Sequence, residues 1–240
     1  WEDSMLHVQN MVLDNCLSTI KHETIYYPNK IKQIIGRLNT QNLPEKDERE
    51  AVETITELIE YYKGIFTILS SCAARQLEEV TFRRSTIPVQ ELFDAAGKYF
   101  RKVTKNQTEK VELIIEPMEA KVIGDVNQLR FLFENLIDEA LAVREEGVIR
   151  LQARKDNEYI RFLFTDTRRE KSVTELNQLF YPNLARMTSG EKGELRGTEY
   201  LICKQIIRDH DEFAGRRGCR INAEPAEGGG FTVYFTIPRR

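Results

Sequence analysis

Apolar or semi-apolar residues near the start of the chain recur in alternating steps of four and three. The series comprises Leu13, Leu17, Ile20, Thr24, Tyr27, Ile31, Ile34 and Leu38. This spacing is typical of the seam of a helix that packs in a bundle or a coiled coil. It predicts a first helix from about Asp3 to about Asn39. Because proline lacks the N–H of the helical hydrogen bond, a kink is expected near Pro28.

A second apolar series follows a predicted turn at Asn42–Asp47. Its members are Val52, Ile55, Leu58 or Ile59, Tyr62, Ile65 or Phe66, Leu69 and Cys72. The period predicts a second helix that packs antiparallel against the first. Two helices alone cannot enclose a core, so the hairpin is predicted to pair with a second copy as a four-helix bundle. The expected assembly is therefore a homodimer.

The composition excludes several classes of protein. The 240 residues include 35 basic and 38 acidic side chains and carry a net charge of -3, so no basic excess favours nucleic-acid binding. The cysteines are widely spaced without a C-x-x-C pair, which predicts buried reduced thiols and a cytoplasmic location. No apolar run is long enough to span a membrane. Because the sequence begins within a helical pattern, we expect a fragment whose membrane contact is made only through a missing N-terminal part.

The helical period ends around Arg83–Pro88, where Ile87-Pro88 indicates the start of a new unit. This predicts a helical hairpin over residues 1–84 and a second domain over residues 85–240. The fold class is therefore α+β. Helices are predicted at Val89 to about Lys105, Asp125 to about Glu145, Val173–Phe180 and Thr198–Asp209, and strands at Val111–Glu116, Lys121–Ile123, Val148–Lys155, Tyr159–Thr165, Cys219–Ala223 and Phe231–Pro238.

His22 lies midway between two seam positions, which places its ring on the outer face of the first helix beside Glu23. A lone histidine there is usually a solvated residue. However, His-Glu followed closely by Pro28 resembles the phosphoacceptor box of sensor histidine kinases. The resemblance implies that His22 is the nucleophile and Glu23 its base. The family has Thr or Asn four residues after the histidine and Pro one later, whereas this chain has Tyr26 and Tyr27.

The second unit resembles the ATP-binding domain of histidine kinases, an α/β sandwich shared with gyrase and Hsp90-type ATPases. The resemblance implies ATP and Mg²⁺ as cofactors. Asn135 and Glu139 stand at the two asparagines of the family's nucleotide-site helix, and Glu139 takes the magnesium position. Asp166 corresponds to the aspartate that reads the adenine amino group. The glycines that follow it in the family are absent, and Arg168 and Arg169 stand at the first glycine and its neighbour.

Two further motifs belong to the same resemblance. Phe180–Pro182 is similar to the aromatic box that precedes the ATP lid, and Tyr181–Gly197 is predicted to be a mobile loop. The phosphate-cradling box corresponds to Gly197 and the following Leu201–His210, which contains Lys204. The implied nucleotide-binding residues are therefore Asn135, Asp166, Gly197 and Lys204.

Two functions follow from these residues. One is a sensor histidine kinase core that transfers the γ-phosphoryl group of ATP to His22 and then to an aspartate in the receiver domain of a response regulator. The alternative is a catalytically degenerate, dimeric signalling or scaffold module. Because Arg168 and Glu139 depart from the family pattern, weak ATP binding in the high micromolar range or worse is expected. Labelled ATP with magnesium, followed by a test for acid-labile phosphate, distinguishes the two.

Overall fold

The chain is described by a computed structural model that covers residues 2–23, 26–40, 42–73, 82–108, 110–183 and 197–240. Within these ranges, three helices precede the first strand: α1 (Glu2–Glu23), α2 (Tyr26–Thr40) and α3 (Glu45–Ala73). The single helix predicted at the start is thus described as two. Pro28 lies near the start of α2, and residues 24 and 25, on which the predicted kink depends, lie outside the described chain.

The connection between α2 and α3 is shorter than predicted. Residues 42–44 are irregular, and Glu45, Asp47 and Glu48 form an acidic first turn of α3. The N–H groups of Asp47 and Glu48 donate to the carbonyl of Pro44 at 2.9 and 3.1 Å. Carboxylates are favourable at a helix N-terminus because the N–H groups there carry partial positive charge. The acidic residues therefore extend the helix into the predicted turn.

Apolar surface remains exposed on α2 and α3. The two helices contact each other, and Leu58 of α3 is buried. By contrast Ile35 is 44% exposed, Val52 54% and Ile59 47%. Helices of this amphipathic kind normally cover such residues by packing. The predicted homodimer would cover them, and it stays a prediction.

The strands form two sheets in the described residues. A two-stranded antiparallel sheet pairs β1 (Ser85–Pro88) with β3 (Lys121–Gly124). The larger sheet has the order β2-β4-β5-β7-β6, in which β2 and β4 are parallel and the other neighbours are antiparallel. Its strands are β2 (Val111–Ile115), β4 (Gly147–Asp156), β5 (Tyr159–Asp166), β6 (Ile221–Pro225) and β7 (Phe231–Pro238).

Helices pack against the larger sheet and enclose its core. They are α4 (Val89–Thr104), α5 (Val126–Leu141), α6 (Val173–Gln178) and α7 (Glu199–Phe213), and α5 contacts both α4 and α7. Four phenylalanines join the two layers: Phe93, Phe133, Phe162 and Phe235. The rings of Phe162 and Phe235, which are paired across β5 and β7, stack at 5.0 Å. The predicted α+β class is confirmed.

Both predicted hairpins are present. The β4–β5 turn contains Asn157, whose φ of 51° lies in the left-handed region that asparagine tolerates. The β6–β7 turn contains Gly228, Gly229 and Gly230, with φ of 90°, 104° and 82°. Residues with a β-carbon rarely adopt these angles, so the glycine run fixes the position of the turn.

The described residues divide into two compact units. One comprises residues 2–9, 82–181 and 199–240, and the other is mainly residues 10–73. The thiols of Cys16, Cys203 and Cys219 are buried, as predicted, and the side chain of Cys72 lies outside the described residues. No helix in the described part of the chain is long and apolar enough to cross a membrane.

Candidate functional site

Helix α5 carries the two predicted nucleotide-site residues on one face. Asp125 caps the helix by accepting the N–H groups of Asn127 and Gln128 at 2.9 and 3.2 Å. Asn135 and Glu139 follow four residues apart and are 5% and 4% exposed. Residues at this spacing are neighbours on a helix surface. The Asn135 amide donates to the Phe131 carbonyl at 2.8 Å, so it is oriented by its own helix.

Asp166 lies at the end of β5 on the face that α5 covers. Side chains alternate along a strand, so Asp166 shares the buried face of Ile160, Phe162 and Phe164. Its carboxylate is 1% exposed. A buried carboxylate is costly unless a charged partner or hydrogen-bond donors compensate it. Its surroundings must therefore supply positive charge.

The compensating charge is the guanidinium group of Arg168. Its Nε donates to Oδ1 of Asp166 at 2.9 Å and its Nη2 to Oδ2 at 2.9 Å. The backbone N–H of Arg168 also donates to Oδ1 at 3.0 Å. The Arg168 side chain is 1% exposed. The pair is therefore a buried, bidentate ion pair, the strongest geometry that arginine and carboxylate adopt.

The same guanidinium group caps the C-terminal end of α5. Nη2 of Arg168 donates to the carbonyl of Ala140 at 2.6 Å, and Nη1 donates to the carbonyl of Glu145 at 2.9 Å. Because α5 ends at Leu141 rather than near Glu145 as predicted, the Ala140 carbonyl lies in the last turn and has no partner within the helix. Gly147 borders the arginine side chain, and a β-carbon there would lie 2.7 Å from Cγ of Arg168. The absence of a side chain at position 147 thus makes room for the arginine.

Arg169 adds a second, weaker contact. Its Nε lies 3.3 Å from Oδ2 of Asp166, and its Nη2 lies 3.4 Å from the carbonyl of Glu139. Burial alone would raise the pKa of Asp166. The hydrogen bonds and charge of Arg168, together with the charge of Arg169, outweigh that effect and hold the pKa below its ordinary value. Asp166 is therefore ionised, and both of its carboxylate oxygens accept hydrogen bonds from arginine.

Residues 124–240 match the family model of histidine kinase-, DNA gyrase B-, and HSP90-like ATPases. This part of the chain belongs to that family. The match includes α5, Asp166 and both arginines. A search of curated proteins found no match to the chain. We refer to residues 124–240 below as the ATPase-family domain.

Solved structures of histidine kinases share the fold. The nucleotide-free catalytic domain of histidine kinase ThkA is 18% identical, with a TM-score of 0.51 over 67% of this chain and 98% of that one. The mycobacterial sensor histidine kinase MprB is also 18% identical, with a TM-score of 0.50 over 66% and 99%. ThkA in complex with response regulator protein TrrA is 17% identical, with a TM-score of 0.53 over 96% and 63%. The predicted histidine kinase/gyrase/Hsp90 type of fold is confirmed.

Arg168 occupies the carboxylate to which the resemblance assigns the adenine amino group. ATPases of this family bind the nucleotide with Mg²⁺, and the resemblance assigns the adenine amino group to Asp166. Both carboxylate oxygens of Asp166 already accept arginine N–H groups. Within the described residues, no group of three or more His, Cys, Asp or Glu side chains is arranged to hold a metal ion. Glu139, the predicted magnesium ligand, lies beside Arg169, which contacts its carbonyl.

Lys204, a predicted nucleotide-binding residue, contacts the aromatic box. Its Nζ donates to the carbonyl of Phe180 at 3.2 Å and lies 4.4 Å from the ring centroid of Tyr181. Burial and the nearby charge of Arg208 lower the pKa of Lys204. Gly197, with a φ of 73°, precedes the helix that carries Lys204. The lysine thus fixes the start of the predicted loop, of which residues 184–196 lie outside the described chain.

The predicted phosphoacceptor pair is placed only by its backbone. His22 and Glu23 are the last two residues of α1, and their side chains lie outside the described part of the chain. Their roles as nucleophile and base stay predictions. Of the residues assigned by resemblance within the ATPase-family domain, Asn135 and Glu139 lie on α5 and Asp166 lies at the end of β5, and Arg169 contacts both the Glu139 carbonyl and the Asp166 carboxylate. Gly197 precedes α7 and Lys204 lies on it.

The sequence did not reveal three groups that hold Arg168. The carbonyls of Ala140 and Glu145 carry no side-chain signal, and their role depends on where α5 ends. Gly147 offered a weak signal, since a glycine directly before a strand indicates either a turn or a close approach. The close approach is the reason here.

Proposed function

We propose that this chain is the core of a histidine-kinase-like signalling protein whose ATPase-family domain acts as a regulatory module with weak or no ATP binding. The observation that supports it is the buried ion pair between Asp166 and Arg168. Binding adenine at Asp166 would require removal of a guanidinium that makes four side-chain hydrogen bonds. Removing one partner from a buried ion pair costs about 3–5 kcal/mol. A cost of this size would weaken nucleotide binding by orders of magnitude.

In this proposal His22 remains the phosphoacceptor and another protein supplies the phosphoryl group. Glu23 would keep the imidazole nucleophilic, and the phosphoryl group would pass to an aspartate of a receiver domain. The similarity to ThkA, whose structure was solved in complex with response regulator protein TrrA, supports a receiver domain as the partner. A homodimer built on α2 and α3 would carry the signal between two copies.

A second candidate is an ATP-dependent histidine kinase. The resemblance assigns Asn135, Glu139 and Asp166 to the nucleotide-site positions of the family, and the burial of all three supports this function. It requires Arg168 to leave Asp166 when the nucleotide enters. The two candidates therefore differ in a single measurable quantity, the affinity for ATP.

Calorimetric titration with ATP and magnesium tests the proposal. We expect little or no heat of binding for the unmodified chain and measurable binding for the double variant Arg168→Gly with Glu139→Asn. A matched control is Arg161→Gly, which removes an exposed arginine of β5 from its ion pair with Asp156. Tight binding by the unmodified chain would refute the proposal.

Phosphate labelling shows whether the phosphoryl group comes from ATP bound by this chain or from another donor. The isolated chain with labelled ATP should acquire no acid-labile phosphate. Addition of a competent histidine kinase or an acyl phosphate should label the unmodified chain but not His22→Ala. Self-labelling of the isolated chain at His22 would instead establish the second candidate.

A further inference from the structure

The acceptors around Arg168 form a complete cage for a guanidinium group. Guanidinium carries five N–H donors in a planar fork. Four of them are used by the two oxygens of Asp166 and the carbonyls of Ala140 and Glu145, at 2.6 to 2.9 Å. The side chains of both members of the ion pair are 1% exposed. These contacts are those of a bound ligand rather than of a surface ion pair.

The cage is selective for this chemical group. A lysine ammonium is a point charge and cannot donate to both carboxylate oxygens in parallel. The Ala140 carbonyl lies in the last turn of α5, where partial negative charge favours a cation, and the Glu145 carbonyl lies in the loop that follows. Gly147 leaves the space that the aliphatic part of Arg168 occupies. The carboxylate, the two carbonyls and the space beside Gly147 together select a planar cation with paired N–H donors.

We propose that the Asp166 pocket is a guanidinium-binding site and that Arg168 is its built-in ligand. The guanidinium joins the end of β5 to the end of α5, so the domain makes this connection without an external ligand. Only the position of adenine at Asp166 is taken from the family; the cage itself rests on contacts within this chain. The inference deepens the proposed function by naming the ligand class of the pocket.

Chemical rescue tests the inference. Arg168→Ala leaves a cavity beside a buried carboxylate, so its melting temperature should fall by several degrees. Millimolar methylguanidinium or ethylguanidinium should restore most of that loss, because a ligand that binds only the folded state stabilises it. Ammonium and urea at the same concentrations control for ionic strength and for uncharged donors, and neither should restore the loss. The unmodified chain, whose cage is filled, should not be stabilised by any of these compounds.

The carboxylate provides the matched control. The double variant Arg168→Ala with Asp166→Asn lacks the charge of the cage and should show no rescue by alkylguanidinium. Equal rescue of both variants, or rescue of Arg168→Ala by ammonium, would overturn the inference.

A readout on the unmodified protein covers the case in which Arg168→Ala fails to fold. The Nε–H of Arg168 should give an NMR signal protected from solvent exchange, and an unprotected signal would equally overturn the inference.

These outcomes are independent of the proposed function. Failure of guanidinium rescue with no ATP binding would remove the guanidinium site and leave the regulatory module. Rescue in Arg168→Ala together with tight ATP binding by the unmodified chain would keep the site and remove the proposed function.

Discussion

Nε2 of His210 accepts the backbone N–H of Asp125 at 3.1 Å, which links the end of α7 to the start of α5. Nδ1 of the same ring lies 2.7 Å from the carbonyl of Ile206 and must carry the proton, because a carbonyl cannot donate. The ring is fully buried, and burial lowers the pKa of His210 to about 4. His210 is therefore a neutral structural residue.

The first prediction concerns acid stability. Between pH 6.5 and about 4 the unfolded chain binds a proton at His210 and the folded chain does not, so stability falls as the pH falls. The loss across this range is about 3 kcal/mol. His210→Gln removes the titrating group and should flatten the curve of unfolding free energy against pH. Denaturant unfolding at several pH values measures it.

His7→Gln is the control for that measurement, since it removes a histidine that is not fully buried. It should change the pH dependence less than His210→Gln does, because burial is what disfavours the charged form of a histidine. An unchanged slope in His210→Gln would show that another group causes the acid sensitivity.

The second prediction compares two glycines of the β6–β7 turn. A β-carbon at Gly230 would lie 2.1 Å from the carbonyl oxygen of Asp166, a backbone atom that cannot give way. Gly230→Ala should therefore destabilise the chain by at least ~3 kcal/mol. Gly228 has a similar φ, but a β-carbon there would have no neighbouring atom within 4 Å, so Gly228→Ala should cost only about 1–2 kcal/mol of backbone strain. Equal losses in thermal unfolding would contradict the steric argument.

The third prediction concerns helix capping. Asp125 accepts N–H groups from Asn127 and Gln128 and a third from Arg83 at 2.9 Å, and it is buried. Asp125→Ala leaves these donors without an acceptor and should cost about 3 kcal/mol. Ser172→Ala removes the exposed cap of the short helix α6 and should cost about 1 kcal/mol. Chemical denaturation of both variants gives the comparison.

The fourth prediction tests the homodimer. Light scattering of the unmodified chain at micromolar concentration should give the mass of two copies. Ile35→Asp and Ile59→Asp place charges on the exposed apolar surface of α2 and α3 and should give monomers, because a buried unpaired charge is costly. Val173→Asp is the control, since Val173 is 63% exposed on α6. A monomeric mass for the unmodified chain would contradict the four-helix bundle.

The local part of the fold was predictable from the sequence. Asp125 precedes an apolar helical pattern, and Gly228–Gly230 separates two alternating runs, so the cap and the hairpin were both expected. Such signals involve residues close together in the chain, where propensity and backbone sterics decide the structure. The positions of Asn135 and Glu139 on one face of α5 followed from the same local geometry.

The inward position of Arg168 could not be fixed in this way. The sequence shows only that the family's glycines are absent, and an arginine there can crowd the pocket or turn toward solvent. Its direction depends on Gly147 and on the carbonyls of Ala140 and Glu145, which tertiary packing brings to Asp166. Contacts between residues distant in sequence therefore determine where the guanidinium lies.

The position of β7 sets the order in which this domain can be completed during synthesis. Phe231–Pro238 is the last described strand in the chain, yet it lies inside the sheet between β5 and β6. Until it emerges from the ribosome, one hydrogen-bonding edge of β5 has no neighbouring strand and β6 has no partner among the described strands. Gly230, which lies against Asp166, emerges just before it. A nascent chain halted before residue 231 would therefore present a half-built sheet in which β5 has one unpaired edge and β6 is unpaired.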